Sequence, residues 1–158
     1  MNIDDEPSDR NQNSTCSNPV VPTSLPDPTI IKAADGYFYL YATEDVHNTP
    51  ILRSDNFTDW KLLGTAFTND TRPNWEPNGG IWAPDITYIN GKYVLYYSLS
   101  VWGGGSTCGI GVATDTQPEG PLTDHRQLFR RKEIGVDNSI EPCSIQEDGK
   151  KYWNCGSV

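Results

Sequence analysis

The sequence predicts an all-β fold of the β-propeller type, built from repeated antiparallel sheets. Short apolar and aromatic runs of strand length recur along the chain, and no segment keeps a helical period for three turns. The 14 glycines and 12 prolines fall mostly between these runs, where they mark turns. One phrase also returns at a nearly constant interval with about four strands inside it, which is typical of propeller blades.

The repeated phrase is a proline that opens a strand, a turn with Asp-Gly or Asn-Gly, and a second aromatic strand. Each copy predicts a two-residue type I′ turn between paired strands, because Asn-Gly and Asp-Gly accept the left-handed backbone that this turn needs. The prolines are 56 and 58 residues apart, and the three copies begin at Asp27-Pro28, Ala83-Pro84 and Glu141-Pro142.

The elements follow in order from the N-terminus. Residues 1–17 are polar and acidic without periodicity, and we expect a disordered leader there. Residues 18–158 form the predicted propeller part, with blade one at about 18–75, blade two at about 76–133 and the start of blade three at about 134–158. The predicted strands include the runs at 37–41, 51–52, 60–63, 93–97 and 110–113.

The third repeat is incomplete, because 16 residues follow its proline, Pro142. A propeller closes with about four to eight blades. We therefore expect about two and a half blades of a longer protein. The alternative, a complete small β domain, is disfavoured because repeat proteins bury their core between stacked neighbours.

Charge and composition limit the partners. The chain carries 12 Lys and Arg against 21 Asp and Glu, a net charge of -9, so we expect no nucleic-acid partner. No apolar run approaches the roughly 20 residues that cross a bilayer, and the N-terminus lacks the basic flank and apolar stretch of a signal peptide. We expect no membrane partner, and the residues leave the compartment open.

Metal and disulfide chemistry have weak support in the sequence. No Cys-x-x-Cys pair occurs, and His47 and His125 lie far from any cysteine, so we predict no metal site and no cofactor in this chain. The cysteines are too few for a disulfide scaffold. They are small buried thiols, or one pair such as Cys108 and Cys155 is bonded; the sequence leaves this open.

Four phrases of the sequence resemble glycoside hydrolase family 43. They are Asp27–Ile31, Ser54–Trp60, Ile81–Ile86, and Asn138–Pro142 followed by Asp148–Tyr152. The resemblance implies a five-bladed propeller that hydrolyses arabinan or xylan, most similar to endo-1,5-α-L-arabinanases. It covers residues 18–158, about the first half of a family domain, and implies an oligosaccharide or polysaccharide substrate and a secreted or periplasmic enzyme.

The resemblance also implies roles for two carboxylates. Inverting hydrolysis needs a base that activates water and an acid that protonates the leaving oxygen, about 6.5 to 9.5 Å apart. Asp27 matches the general base of the family. Glu141 stands where the family usually has an Asp that orients the acid and modulates its pKa. The acid itself, a Glu of the fourth blade, is expected beyond Val158, so we expect the 158-residue chain alone to be inactive.

Glu141 is a departure from the family, since its extra methylene moves the carboxylate by roughly 1 to 1.5 Å where such sites are held to about 0.5 Å. Two outcomes are open. Activity is reduced, in which case shortening Glu141 to Asp raises kcat, or the site is rebuilt around the longer side chain. The resemblance also allows a channel calcium or sodium ion in a full-length member.

Three further residues are candidates for substrate contact. We expect Asp85 to make hydrogen bonds or to contact sugar, with a purely structural role as the alternative. Tryptophans next to Gly and Pro in loops can stack on sugar rings, and Trp82 and then Trp102 are the candidates. Because Asp27, Asp85 and Glu141 each flank the proline of a repeat, we expect all three at one mouth of the ring.

Two functions therefore remain open. The first is an inverting α-1,5-L-arabinan hydrolase of which this chain is the base-bearing half. The second is a non-catalytic carbohydrate-binding or degenerate propeller, in which Glu141 marks relaxed chemistry. The sequence leaves arabinan against xylan, and endo against exo cleavage, open.

Overall fold

The structure of the protein, a computed structural model, describes residues 18–102 and 105–156. Within these residues the chain forms ten β-strands and one short helix, arranged in three antiparallel sheets. The predicted leader at residues 1–17 lies outside the described residues. The nearly all-β architecture confirms the predicted fold class.

The first sheet contains four strands in sequence order. They are β1 (Thr29–Lys32), β2 (Phe38–Tyr41), β3 (Pro50–Ser54) and β4 (Lys61–Thr65). The turn between β1 and β2 differs from the prediction, because it is a five-residue loop at 33–37 and not a two-residue type I′ turn. In the Asp35-Gly36 pair only Gly36 has a positive φ, 90°, and its N–H donates to the carbonyl of Ala33 at 3.0 Å.

The second sheet repeats this order and the third begins it again. The elements are β5 (Gly80–Ile89), β6 (Lys92–Ser100), β7 (Gly109–Asp115), β8 (Thr123–Arg130), the helix α1 (Arg131–Ile134), β9 (Ile140–Glu147) and β10 (Lys150–Gly156). In both remaining hairpins the two turn residues have positive φ, at Asn90-Gly91 and Asp148-Gly149, as a type I′ turn requires.

The main core lies between the first two sheets and is rich in aromatic side chains. Tyr39, Tyr41, Phe67 and Tyr97 are fully buried there. The Tyr41 hydroxyl donates to the carbonyl of Pro118, in the loop between β7 and β8. This hydrogen bond fastens blade one to blade two, and β1 packs beside β5, next to the candidate site.

Two simpler expectations can also be compared with the structure. Cys108, Cys143 and Cys155 are free thiols, so the bonded alternative for Cys108 and Cys155 is not the state described. Among the described residues, no helix has the length and apolar character that crossing a membrane requires.

Candidate active site

The residue before the proline of each repeat has an unusual backbone. The φ angles of Asp27, Ala83 and Glu141 are 49°, 40° and 58°, in the left-handed region. This region is disfavoured for residues other than glycine, and proline further restricts the residue before it. The pairing register of β5 with β6, and of β9 with β10, also shifts at this point. Such bulges re-aim side chains, and strain of this kind clusters at functional sites.

The re-aimed residues meet at one cavity of about 490 Å³. All three repeats contribute the residue before the proline and the residue preceding that one. The lining consists of Pro26, Asp27, Thr43, Glu44, Asp45, Trp82, Ala83, Ser98, Trp102, Ile140 and Glu141. The structure therefore brings together four of the five residues that the sequence selected.

Asp27 is held by a short chain of hydrogen bonds across two blades. Thr43 donates from Oγ1 to Asp27 Oδ2 at 2.7 Å, and the same Oγ1 accepts the N–H of Ala83 at 2.7 Å. Ser98, the counterpart of Thr43 in blade two, accepts the N–H of Glu141 at 2.9 Å. In this way, the hydroxyl of each blade fixes the pre-proline residue of the next blade.

Asp85 lies apart from this cavity. Its Oδ2 accepts the backbone N–H of Ser144 at 2.7 Å and the Ser144 hydroxyl at 2.6 Å, which ties β5 to β9. In blade one the corresponding Thr29 Oγ1 accepts the N–H of Ile86 at 3.4 Å. The expectation that Asp85 joins Asp27 at one mouth is corrected, because Ala83 occupies the equivalent pre-proline position. The arrangement supports hydrogen bonding between blades, and gives no support to a sugar contact by Asp85.

The two candidate tryptophans form one aromatic corner. Trp82 lies within β5 and not in a loop, and its indole folds over Gly80, where a Cβ would stand 2.3 Å from the indole nitrogen. The ring of Trp102 meets that of Trp82 edge to face, with centroids 5.8 Å apart. Trp102 is 89% exposed. A large apolar face in this position is suited to stacking on a sugar ring.

Glu44 is a lining residue that the sequence reasoning missed. Its carboxylate accepts two hydrogen bonds of 2.6 Å from the Arg72 guanidinium, and also the N–H groups of Ile81 and Asn48. Burial tends to raise the pKa of Glu44, but these hydrogen bonds and the Arg72 charge outweigh it and hold the pKa below its ordinary value. Glu44 is therefore an ionised clamp between the blades.

An antiparallel hairpin places the end of its second strand beside the start of its first. The segment 43–45 follows β2, and Asp27 precedes β1. The order of the two strands in the sequence could therefore have predicted that Thr43 and Glu44 lie beside Asp27.

The lining is acidic. Asp27, Glu44, Asp45 and Glu141 contribute carboxylates, and none of the lining residues is basic. Across residues 18–102 and 105–156, no group of three or more His, Cys, Asp or Glu side chains is arranged to hold a metal ion.

Two curated proteins are similar in sequence to most of this chain. A Bacillus subtilis protein named extracellular endo-α-(1→5)-L-arabinanase 1 is 35% identical over 141 residues, which is 84% of this chain and 43% of that protein. The arabinan endo-1,5-α-L-arabinosidase A of Aspergillus niger is 31% identical over 134 residues, 83% of this chain and 41% of that protein. The chain thus spans less than half the length of these curated relatives.

Solved structures share the fold. The native Bacillus subtilis arabinanase matches 84% of this chain with a TM-score of 0.70 and 31% identity, and the match covers 47% of that chain. The Cellvibrio cellulosa α-L-arabinanase complexed with arabinohexaose gives a TM-score of 0.70 at 28% identity, over 83% of this chain and 44% of that one. Residues 16–157 match the family described as Glycosyl hydrolases family 43. The chain therefore belongs to glycosyl hydrolase family 43.

Proposed function

We propose that this chain supplies the base-bearing side of an inverting glycoside hydrolase that acts on α-1,5-linked arabinan. The observation that carries the proposal is the common cavity. Asp27 of the first repeat and Glu141 of the third reach one space, with the Trp82 and Trp102 corner beside them. Glycosidic hydrolysis uses carboxyl groups on either side of the scissile bond, and an aromatic face can stack on a sugar ring.

In this proposal Asp27 accepts a proton from the water that attacks the anomeric carbon. The Thr43 hydroxyl holds Oδ2, so the orientation of the carboxylate is fixed and Oδ1 is available to water. Glu141 orients the general acid and modulates its pKa. The acid comes from a part of the protein outside this chain, which is consistent with the chain's span of 41% to 43% of its curated relatives.

The substrate class follows from relatives. One of them is named an endo-α-(1→5)-L-arabinanase and another an arabinan endo-1,5-α-L-arabinosidase, and one related structure is of a complex with arabinohexaose. We extend that substrate to this chain because its cavity, of about 490 Å³, is lined by all three repeats and carries the aromatic corner. The Bacillus subtilis relative is named extracellular, and a secreted location is part of the same proposal.

Binding of arabinohexaose to the 158-residue chain tests the substrate. We expect saturable binding in calorimetry, and quenching or enhancement of tryptophan fluorescence as the sugar covers Trp102. Trp102→Ala should weaken binding at least about fivefold, since an aromatic platform contributes on the order of 1 kcal/mol or more. Tyr88→Ala is the matched control, because Tyr88 is an exposed aromatic residue away from the cavity. Equal affinities for both variants would remove the aromatic corner from the proposal.

A non-catalytic sugar-binding propeller is the second candidate function, and the observation that favours it is Glu141 in place of the usual Asp. The two functions separate in a longer protein that carries this chain and the remaining blades. Release of reducing sugar from debranched arabinan supports the hydrolase, whereas arabinohexaose binding without release supports the binding protein. The 158-residue chain by itself is expected to release none, because it has the base and lacks the acid.

A further inference from the structure

The third repeat differs from the first two at the position that pairs with the residue two before the proline. Thr43 and Ser98 stand opposite the residue two before the proline, and each contributes a hydroxyl to the cavity. In the third repeat the same register pairs Ile140 with Gly156. Gly156 is therefore the counterpart of Thr43 and Ser98, and it has no side chain.

The space that a side chain at Gly156 would fill is taken by Glu141. A Cβ at residue 156 would stand 3.0 Å from Glu141 Oε2 and 3.6 Å from Glu141 Cβ. The first of these distances is closer than ordinary van der Waals contact allows. The backbone φ of Gly156 is not in the left-handed region, so an added side chain would meet no backbone strain there. It would instead press on Glu141 Oε2, which would have to shift by a few tenths of an ångström to admit it.

The comparison with the first repeat explains the exchange. There the shorter Asp27 carboxylate accepts a hydrogen bond from the Thr43 hydroxyl, which fills the space between them. In the third repeat the acid is one methylene longer and the opposite residue has lost its side chain. The two changes offset each other in length.

We propose that Gly156 is the positioning residue for Glu141, and that the pair is a matched exchange for a shorter acid and a hydroxyl residue. The site is built around glutamate, and Glu141 is no defect. This inference rests on the proposed function for its assignment to a sugar site, and on the geometry of two residues for the pairing itself.

The test compares the 158-residue chain with Glu141→Asp, Gly156→Ser and the double variant. Each single change should weaken arabinohexaose binding about tenfold. Glu141→Asp leaves part of the space between the two residues empty, and Gly156→Ser overfills it. The double variant should bind within about threefold of the parent. Gly64→Ser is the matched control, since Gly64 lies in a strand where an added Cβ would meet no atom within 4 Å, and it should leave binding unchanged.

A second readout does not depend on sugar. Nuclear magnetic resonance follows the titration of the carboxyl group at residue 141. In the double variant the new serine hydroxyl can donate to the shortened carboxylate as Thr43 does to Asp27, so its pKa should be lower than with Glu141→Asp alone. Gly156→Ala in the Glu141→Asp background fills the same space without a donor and should give no such shift.

Losses that multiply in the double variant, together with an unchanged carboxyl pKa, would overturn the pairing. If the parent chain fails to bind arabinohexaose, the proposed substrate fails, and the carboxyl titration alone decides the pairing. A lower pKa in the double variant then supports the pairing, and an equal pKa rejects it. The two failures are therefore distinguishable.

Discussion

At the scale of single residues, the site depends on a hydroxyl that serves two blades. Thr43 Oγ1 donates to Asp27 and accepts from the backbone of Ala83, so its loss leaves a carboxylate and an N–H without their partners. The residue is half-buried, and water replaces part of what is lost.

We predict that Thr43→Val lowers the free energy of unfolding by about 1 kcal/mol, because both hydrogen bonds are removed while the shape is kept. Thr43→Ser keeps the hydroxyl and is the control, with a smaller loss. Urea denaturation of the 158-residue chain measures both. Equal stability of the valine variant and the parent would contradict the role given to this hydroxyl.

Asp27 and Asp85 should respond differently to the same change. In a longer protein that carries the remaining blades, Asp27→Asn should lower kcat by about 10² to 10⁴, as loss of a general base does. Asp85→Asn should mainly lower stability, because Asp85 holds Ser144 between two blades. Steady-state kinetics and urea denaturation on both variants separate the effects. Similar losses of kcat would move Asp85 into the site.

At the scale of elements, a glycine determines how β6 and β7 pack. Tyr97 pairs directly with Gly111, and its ring covers the glycine so closely that a Cβ there would lie 2.2 Å from the ring. The Tyr97 hydroxyl then reaches Asp124 at 2.6 Å, which connects β6 to β8 across β7. Tyr97 is fully buried, so its ring is surrounded by other atoms and has little free space to move into.

Gly111→Ala should therefore destabilise the chain by about 1 to 3 kcal/mol, the usual range for overpacking. Gly64→Ala is the control, because the added methyl group meets nothing within 4 Å. Thermal or urea unfolding of the two variants gives the comparison. A loss at Gly111 no larger than that at Gly64 would show that Tyr97 moves aside freely.

The elements also show how far the sequence could predict the structure. The strands and the type I′ turns at Asn90-Gly91 and Asp148-Gly149 follow from local patterns, because turn chemistry and aromatic alternation act over a few residues. The type I′ turn predicted at Asp35-Gly36 was wrong, since the same dipeptide also fits a longer loop. Asp85 was expected at the cavity, yet the bulge beside Pro84 gives that place to Ala83, and a bulge leaves no clear mark in one sequence.

At the scale of the whole molecule, the ion pair of Glu44 and Arg72 in blade one holds the start of blade two, since Glu44 also accepts the N–H of Ile81. Arg72 also donates to the carbonyl of Gly79 and to Asn48, so the guanidinium joins loops of both blades. Because the pKa of Glu44 is held below its ordinary value of 4.5, the folded state favours the ionised carboxylate.

This pair predicts a pH dependence of stability. Its contribution is fully present above the pKa that Glu44 has when unfolded, and it is lost as the pH falls through the lower pKa of the folded state. The urea midpoint of the parent should therefore fall more between about pH 6 and about pH 3 than that of Glu44→Gln, which has no carboxyl group to protonate there. Parallel curves for the two proteins would contradict the clamp.

The left-handed backbone before the proline of each repeat places one residue of every blade at the cavity. In the middle blade this residue is Ala83, whose side chain is a single methyl group. Ala83 lies between the strands that deliver Asp27 and Glu141, and it lines the same cavity. A longer side chain at residue 83 would take up part of the cavity between Asp27 and Glu141. The small size of Ala83 therefore keeps this part of the cavity open, although its methyl group carries no reactive atom.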